Sequence, residues 1–251
     1  MSFTIIIPAR YSSTRLPGKP LEIIAKKPLI QHVYECALKS DADEIIIATD
    51  DARIQDVAES FDAKVCMTST RHSSGTDRLA EVIKEQGYPD DRIVVNLQGD
   101  EPLMPASVIN QVAENLAKRY EAGAATICTR IHRVDDLFDP NIVKVVSNRD
   151  GYAIYFSRAP IPWDRSHFPN PPRLPPTAEF YRHVGLYAYR AGFLKKFVMW
   201  PVCHHEKVES LEQLRILFHS EKIHVDVAKE LPGPGVDTED DLDKLRDMFL
   251  N

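Results

Sequence analysis

The sequence predicts a doubly wound α/β fold, with a mostly parallel Rossmann-like sheet and a smaller antiparallel extension. Two observations carry this expectation. Through the first half of the chain, short apolar runs rich in β-branched residues alternate with helical patterns. Near-continuous apolar strands separated by amphipathic helices belong to a parallel sheet covered on both faces. After about residue 125 the long helices between strands disappear and the rhythm becomes that of an antiparallel sheet.

The first strand is the run Thr4 to Ile7, and a helix follows Pro28, with Ile30, Val33, Ala37 and Leu38 on one face. Glu44 to Ala48 is a second buried strand, and Ile54, Val57, Ala58 and Phe61 then recur at helical spacing. A short strand near Ala63 to Met67, a helix around Leu79, Val82 and Ile83, and the strand Ile93 to Leu97 complete the series. In the second half, Ala124 to Thr129, Val143 to Val146, Tyr152 to Phe156 and His183 to Tyr189 read as strands. Between the last two lie seven prolines, Pro160, Pro162, Pro169, Pro171, Pro172, Pro175 and Pro176, too dense for a helix or a sheet interior. Helices at Val208 to Phe218 and Thr238 to Phe249 flank a strand at Ile223 to Val227. The whole chain, 1–251, reads as one domain, with about 130–190 as an antiparallel insert available for dimerisation.

Composition excludes several classes. An apolar content of 43% and a charged content of 27% place the chain among globular proteins. A net charge of −6 argues against nucleic-acid or membrane-surface partners, which require a basic excess. A polyanionic ligand must then be held by local positive charge. The opening Met-Ser-Phe-Thr-Ile-Ile-Ile-Pro reads as a strand rather than a signal peptide, and no apolar run has bilayer length. Cys36, Cys66, Cys128 and Cys203 lack metal-ligand spacing and read as buried thiols, so a cytoplasmic protein is expected.

Ligands of doubly wound sheets sit beyond the carboxyl ends of the strands. There the sequence continues Pro8-Ala9-Arg10 and then Tyr-Ser-Ser-Thr-Arg-Leu-Pro-Gly-Lys-Pro, placing Arg10, Arg15 and Lys19 in one loop with Ser13 beside them. Neither dinucleotide-binding glycines nor a P-loop is present. Fork donors, a compact ammonium, hydroxyls and backbone N–H groups together suit a nucleoside triphosphate.

That loop resembles the opening of the sugar nucleotidyltransferases, specifically the 3-deoxy-manno-octulosonate (Kdo) cytidylyltransferases. The resemblance continues in order through Ala48-Thr49-Asp50-Asp51, Ser74-Gly75-Thr76-Asp77-Arg78, Asn96-Leu97-Gln98-Gly99-Asp100-Glu101-Pro102, Tyr155-Phe156-Ser157-Arg158, His183-Val184-Gly185-Leu186-Tyr187, Leu211-Glu212-Gln213-Leu214-Arg215 and Val236-Asp237-Thr238. It implies transfer of CMP from CTP to Kdo with release of pyrophosphate, in the service of bacterial lipopolysaccharide synthesis. It also implies catalytic and nucleotide-binding roles for Arg10, Arg15 and Lys19, and nucleotide contacts from Ser13, Ser74, Arg78 and Gln98. Asp100 and Asp237 would be catalytic ligands of Mg²⁺. Arg158, His183, Tyr187, Glu212 and Gln213 would line the sugar pocket, and a homodimer is expected.

Read as residues alone, several of these have structural alternatives. Ser74 suits a helix N-cap, Arg78 an internal ion pair, His183 and Tyr187 the core, and Glu212 the surface. Asp237 precedes Thr238 and Asp241, which stand at capping-box spacing, and so reads equally as a helix cap. Glu101 neighbours Asp100 and offers the same chemistry. Nothing in the residues separates CTP from UTP, or Kdo from an 8-amino analogue or a sialic acid. A non-catalytic nucleotide-binding module has no need of two metal carboxylates.

Overall fold

The computed structural model describes residues 1–12, 16–72, 74–169, 173–175 and 178–250. Strand β1 (Phe3–Ala9) is buried along its whole length, as its apolar run requires. A 3-10 turn (Lys19–Leu21) and the short hairpin β2 (Ile23–Ile24) and β3 (Lys27–Pro28) lead into α1 (Leu29–Leu38). The series β4 (Glu44–Thr49), α2 (Ala52–Glu59), β5 (Lys64–Met67), α3 (Gly75–Glu85) and β6 (Ile93–Asn96) follows the expected alternation. Both helices start on side-chain caps. Asp51 accepts from the Arg53 amide, and Ser74 and Asp77 form a reciprocal capping box.

Helix α4 (Ala106–Lys118) is missing from the sequence reading, although Val108, Ile109, Val112, Ala113 and Leu116 carry a clear helical period and are buried. The chain continues through β7 (Ala122–Arg130), α5 (Val134–Phe138), β8 (Lys144–Ser147), β9 (Ala153–Ser157) and β10 (Tyr181–Arg190). It ends with α6 (Ala191–Phe197), also unforeseen, then α7 (His204–Glu209), α8 (Gln213–Phe218), β11 (Lys222–Val227) and α9 (Glu239–Leu250).

Among the described residues the main sheet runs β11-β7-β10-β6-β1-β4-β5. β1 lies between β4 and β6 and is parallel to both, so the direction of winding reverses at its carboxyl end. That reversal opens the crevice in which such sheets bind ligands. β10 is antiparallel and sits between β6 and β7, inside the main sheet. Its first residues also pair with β8, which pairs with β9, so only this ribbon forms the antiparallel extension. Two apolar layers cover the faces, Ile5 and Ile7 packing into one and Ile6 into the other.

One expected helix is in fact two. The run Val208 to Phe218 breaks at Ser210, whose φ of 52° is left-handed. A left-handed residue cannot continue a helix. The break lets the chain restart at Glu212 and turn that carboxylate inward beside α3.

Candidate active site

Arg10 is the first residue beyond β1, and Gln98, Gly99 and Asp100 follow β6. The two strand ends approach so closely that a Cβ on Gly99 would lie 2.8 Å from the Pro8 carbonyl oxygen, so only glycine fits there. A cavity of about 230 Å³ opens above them, lined by Arg10, Ser12, Lys19, Gly75, Gln98 and Asp100. Burial and then Arg78 pull the Arg10 pKa down, while Asp50 and Asp77 oppose them; the guanidinium stays charged. Ser13 and Arg15 lie outside the described residues.

The Lys19 ammonium donates to Asp100 Oδ2 at 2.6 Å and to the Val236 carbonyl at 2.8 Å, and stands 3.5 Å from Asp237 Oδ1. Two carboxylates far apart in sequence therefore converge on one cation position. Their meeting is built by the backbone, since the Val236 amide donates to the Asp100 carbonyl at 2.9 Å. Val236 is itself anchored in a small core with Ile24, Leu29, Leu242 and Leu245. Asp237 is not the cap of α9. Thr238 is: its hydroxyl accepts from the Asp241 amide, and the Asp241 carboxylate accepts from the Thr238 amide at 3.0 Å. The Asp237 carboxylate instead stands at the cation position.

A second cavity, of about 250 Å³, shares Gln98 with the first and adds Thr76, His183, Tyr187, Glu212 and Gln213. Burial raises the Glu212 pKa, opposed by hydrogen bonds from Thr76 and Ser74; the Thr76 hydroxyl donates to Glu212 Oε2 at 2.6 Å. A β-bulge in β10 between Val184 and Tyr187 aims His183 at this space. Its Nε2 lies 3.1 Å from the Thr126 hydroxyl, which also lies 2.8 Å from the Leu186 carbonyl. The hydroxyl has one proton and the carbonyl can only accept it, so toward His183 the oxygen accepts and Nε2 carries hydrogen. Nδ1 then keeps its lone pair. Desolvation, and secondarily Arg182, push the His183 pKa down to about 3. We predict that nitrogen NMR at pH 6 shows neutral His183 in the Nε2–H form, where an ordinary histidine is mostly protonated. A protonated imidazole at that pH would refute the assignment.

A third cavity, of about 570 Å³, opens on the other side of His183 and is lined by Glu101, Arg182 and Asp237. Burial first and Asp100 second push the Glu101 carboxyl up to about 7. Arg182 and Thr76 were given no role from sequence: Arg182 adjoins the motif residue His183, and Thr76 lies inside the Ser74 to Arg78 motif with nothing in its spacing to mark it.

The cytidylyltransferase family's sequence profile matches residues 4–223. The 3-deoxy-manno-octulosonate cytidylyltransferase of Haemophilus influenzae (strain PittEE) is 53% identical over 249 residues, covering 98% of both chains. That of Coxiella burnetii (strain Dugway 5J108-111) is 55% identical, covering 99% of this chain and all of its own. The chain belongs to the 3-deoxy-manno-octulosonate cytidylyltransferases. A solved CMP:2-keto-3-deoxy-manno-octonic acid synthetase complexed with CTP matches this cytidylyltransferase with a TM-score of 0.89 at 41% identity, covering 99% and 98% of the two chains.

Three sequence expectations change in the folded enzyme. Arg78 does not face the nucleotide cavity: it is fully buried, donates to Asp50 Oδ2 at 2.7 Å and bonds the Thr68 hydroxyl. Its role is to hold Asp50, which in turn faces Arg10. Arg158 lines none of the three cavities, and its guanidinium donates through Nε and Nη1 to the Glu209 and Pro140 carbonyls at 2.7 and 2.8 Å. Ser74 serves first as the cap of α3 and reaches the site through Glu212.

Proposed function

We propose that the enzyme joins CMP to Kdo, using the first cavity for the CTP phosphates and the second for the sugar acid. The observation that carries this reading is the convergence of Lys19, Asp100 and Asp237 on one cation position beside a cavity that shares Gln98 with a polyol-sized neighbour. The Kdo C2 hydroxyl attacks the α-phosphorus of CTP. A new O–P bond forms as the bond to the bridging oxygen breaks, pyrophosphate departs with that electron pair, and the hydroxyl proton passes to solvent. Arg10 and Lys19 neutralise charge on the α- and leaving phosphates from fixed positions, with Arg15 assigned the same work. Gln98 lies where the two substrates meet, and His183 offers Nδ1 to a sugar hydroxyl.

Asp100 and Asp237 would hold Mg²⁺, and the donor set fits it. Two carboxylates converge there on a cation. Magnesium takes one or two carboxylates and completes its shell with water and phosphate oxygens. When bound, it supplies charge neutralisation and a lowered pKa for the attacking hydroxyl.

The named relatives favour Kdo over an 8-amino analogue or a sialic acid. Pyrophosphate release from CTP and Mg²⁺ with each sugar tests the reading, and release with a sialic acid but not with Kdo would overturn it. We assign the enzyme to the cytoplasm: no helix among the described residues is long and apolar enough to cross a membrane, and its four cysteines are unpaired. A homodimer through the β8–β9 ribbon, where Ile154 is exposed, completes the proposal, and a sedimentation mass near 28.5 kDa would overturn it.

A further inference from the structure

The inner strands of a sheet covered on both faces are expected to be apolar. One row across this sheet is not. Tyr187 on β10 lies directly opposite Asn96 on β6 and Thr126 on β7, so three polar side chains share one face in line. They are 3%, 7% and 0% exposed for Asn96, Tyr187 and Thr126. Thr126 has its hydrogen bonds within the protein, to Leu186 and His183. Among the described residues Asn96 Oδ1 is buried with no hydrogen-bond partner, and the Tyr187 hydroxyl is buried with none beyond an interaction with the Thr126 hydroxyl.

A buried polar group without a partner costs about 1–3 kcal/mol, and leucine of similar shape would avoid that cost. Stability therefore gives no reason for Asn96. The tyrosine ring already has its packing, stacked on Tyr189 with centroids 5.5 Å apart, and that packing does not need the hydroxyl. Both residues line the 250 Å³ cavity that also holds Glu212 and Gln213. A cavity whose floor carries an unpaired acceptor is matched to a ligand rich in hydroxyl groups.

We infer that Asn96 is a specificity-determining residue for the acceptor sugar, its carboxamide accepting a sugar hydroxyl on the cavity floor beside Tyr187. The inference rests on the sugar acid occupying this cavity. It adds a contact from the sheet itself, beneath the groups contributed by α3, α8 and the β10 bulge. A rigid central strand holds a hydrogen-bonding group more accurately than a loop, which suits discrimination between sugars of equal size and different hydroxyl pattern. A site built to bond a hydroxyl rejects the analogue that lacks it, because its own polar groups are then left unpaired.

The test compares wild type with Asn96→Leu and Asn96→Ala by pyrophosphate release, with CTP and Kdo varied separately, and by melting temperature. We expect the Kdo KM to rise about tenfold or more in each variant, as loss of a hydrogen bond to a neutral partner predicts. The CTP KM should stay within about twofold and the melting temperature of Asn96→Leu should not fall, because an unpaired buried group has been removed. A structural role gives the opposite pattern, with a lower melting temperature and both substrates weakened alike. That pattern, or a folded variant with an unchanged Kdo KM, overturns the inference. Asn96→Ala removes the carboxamide without adding volume, so it decides the matter if Asn96→Leu does not fold. An active wild type with unaffected variants defeats this inference alone, whereas a wild type inert toward Kdo defeats the functional reading beneath it.

Discussion

Lys19→Met is expected to lower turnover about a hundredfold or more while the protein stays folded, the usual cost of losing one preorganised charge contact to a transition state. The ammonium is 11% exposed and its hydrogen bonds go to Asp100 and the Val236 carbonyl, so methionine keeps the packing of the stem and removes only the charged head. A second consequence separates this residue from a merely structural one. In the protein without substrates Lys19 is the counter-ion of Asp100 and Asp237. Nucleotide phosphates compete with these carboxylates for the ammonium, and a divalent metal competes with the ammonium for the carboxylates. Without the ammonium, the two carboxylates lose this shared counter-charge. Their affinity for Mn²⁺ in the absence of nucleotide should rise about tenfold, from a Coulomb contact of roughly 1–2 kcal/mol at this partly exposed depth. Titration followed by electron paramagnetic resonance reads that change directly. A folded variant with near-normal turnover removes Lys19 from the chemistry, and unchanged Mn²⁺ affinity removes it from the cation position.

Asp237→Asn should cost two or more orders of magnitude in activity and leave stability almost untouched. The cap of α9 is Thr238, in a reciprocal box with Asp241, and asparagine at the preceding position leaves that box intact. The melting temperature is expected within about 2 °C of the parent, corresponding to less than roughly 1 kcal/mol in a chain of this size. Removing one of two carboxylates weakens the hold on Mg²⁺, whose ligands are hard and anionic, so added Mg²⁺ should restore part of the lost rate. Melting and a magnesium titration on one preparation decide between the roles. Full activity would leave Asp100 to act without Asp237.

Much of this was legible in the residue pattern. Period-2 and period-3.6 apolar spacing states which faces are buried, so β1, β4, β6 and their helices could be read locally. Arg10 and Lys19 could be placed at the crevice as well, because a loop directly after the first strand of a doubly wound sheet opens onto it. Helix α4 was equally local and readable, and its omission was a failure of reading rather than of signal.

Other features depended on neighbours distant in the chain. Arg10 and Arg78 are both motif cations. Only packing shows that one lines the crevice while the other is enclosed with Asp50 and Thr68, since burial is a property of what covers a residue. Arg158 reads as a carboxylate donor in the sequence, and only the fold shows that two of its five N–H groups go to backbone carbonyls. The sequence by itself determined the layer order, the cationic loop at the crevice and the residue types available for catalysis, because these follow from local periodicity and chemistry. Tertiary structure alone decided that Asp237 meets Asp100 across Lys19, that β10 inserts between β6 and β7, and that Asn96 and Tyr187 face a cavity together. Each of those outcomes depends on long-range pairing, and periodicity within a strand or helix carries no record of its partner.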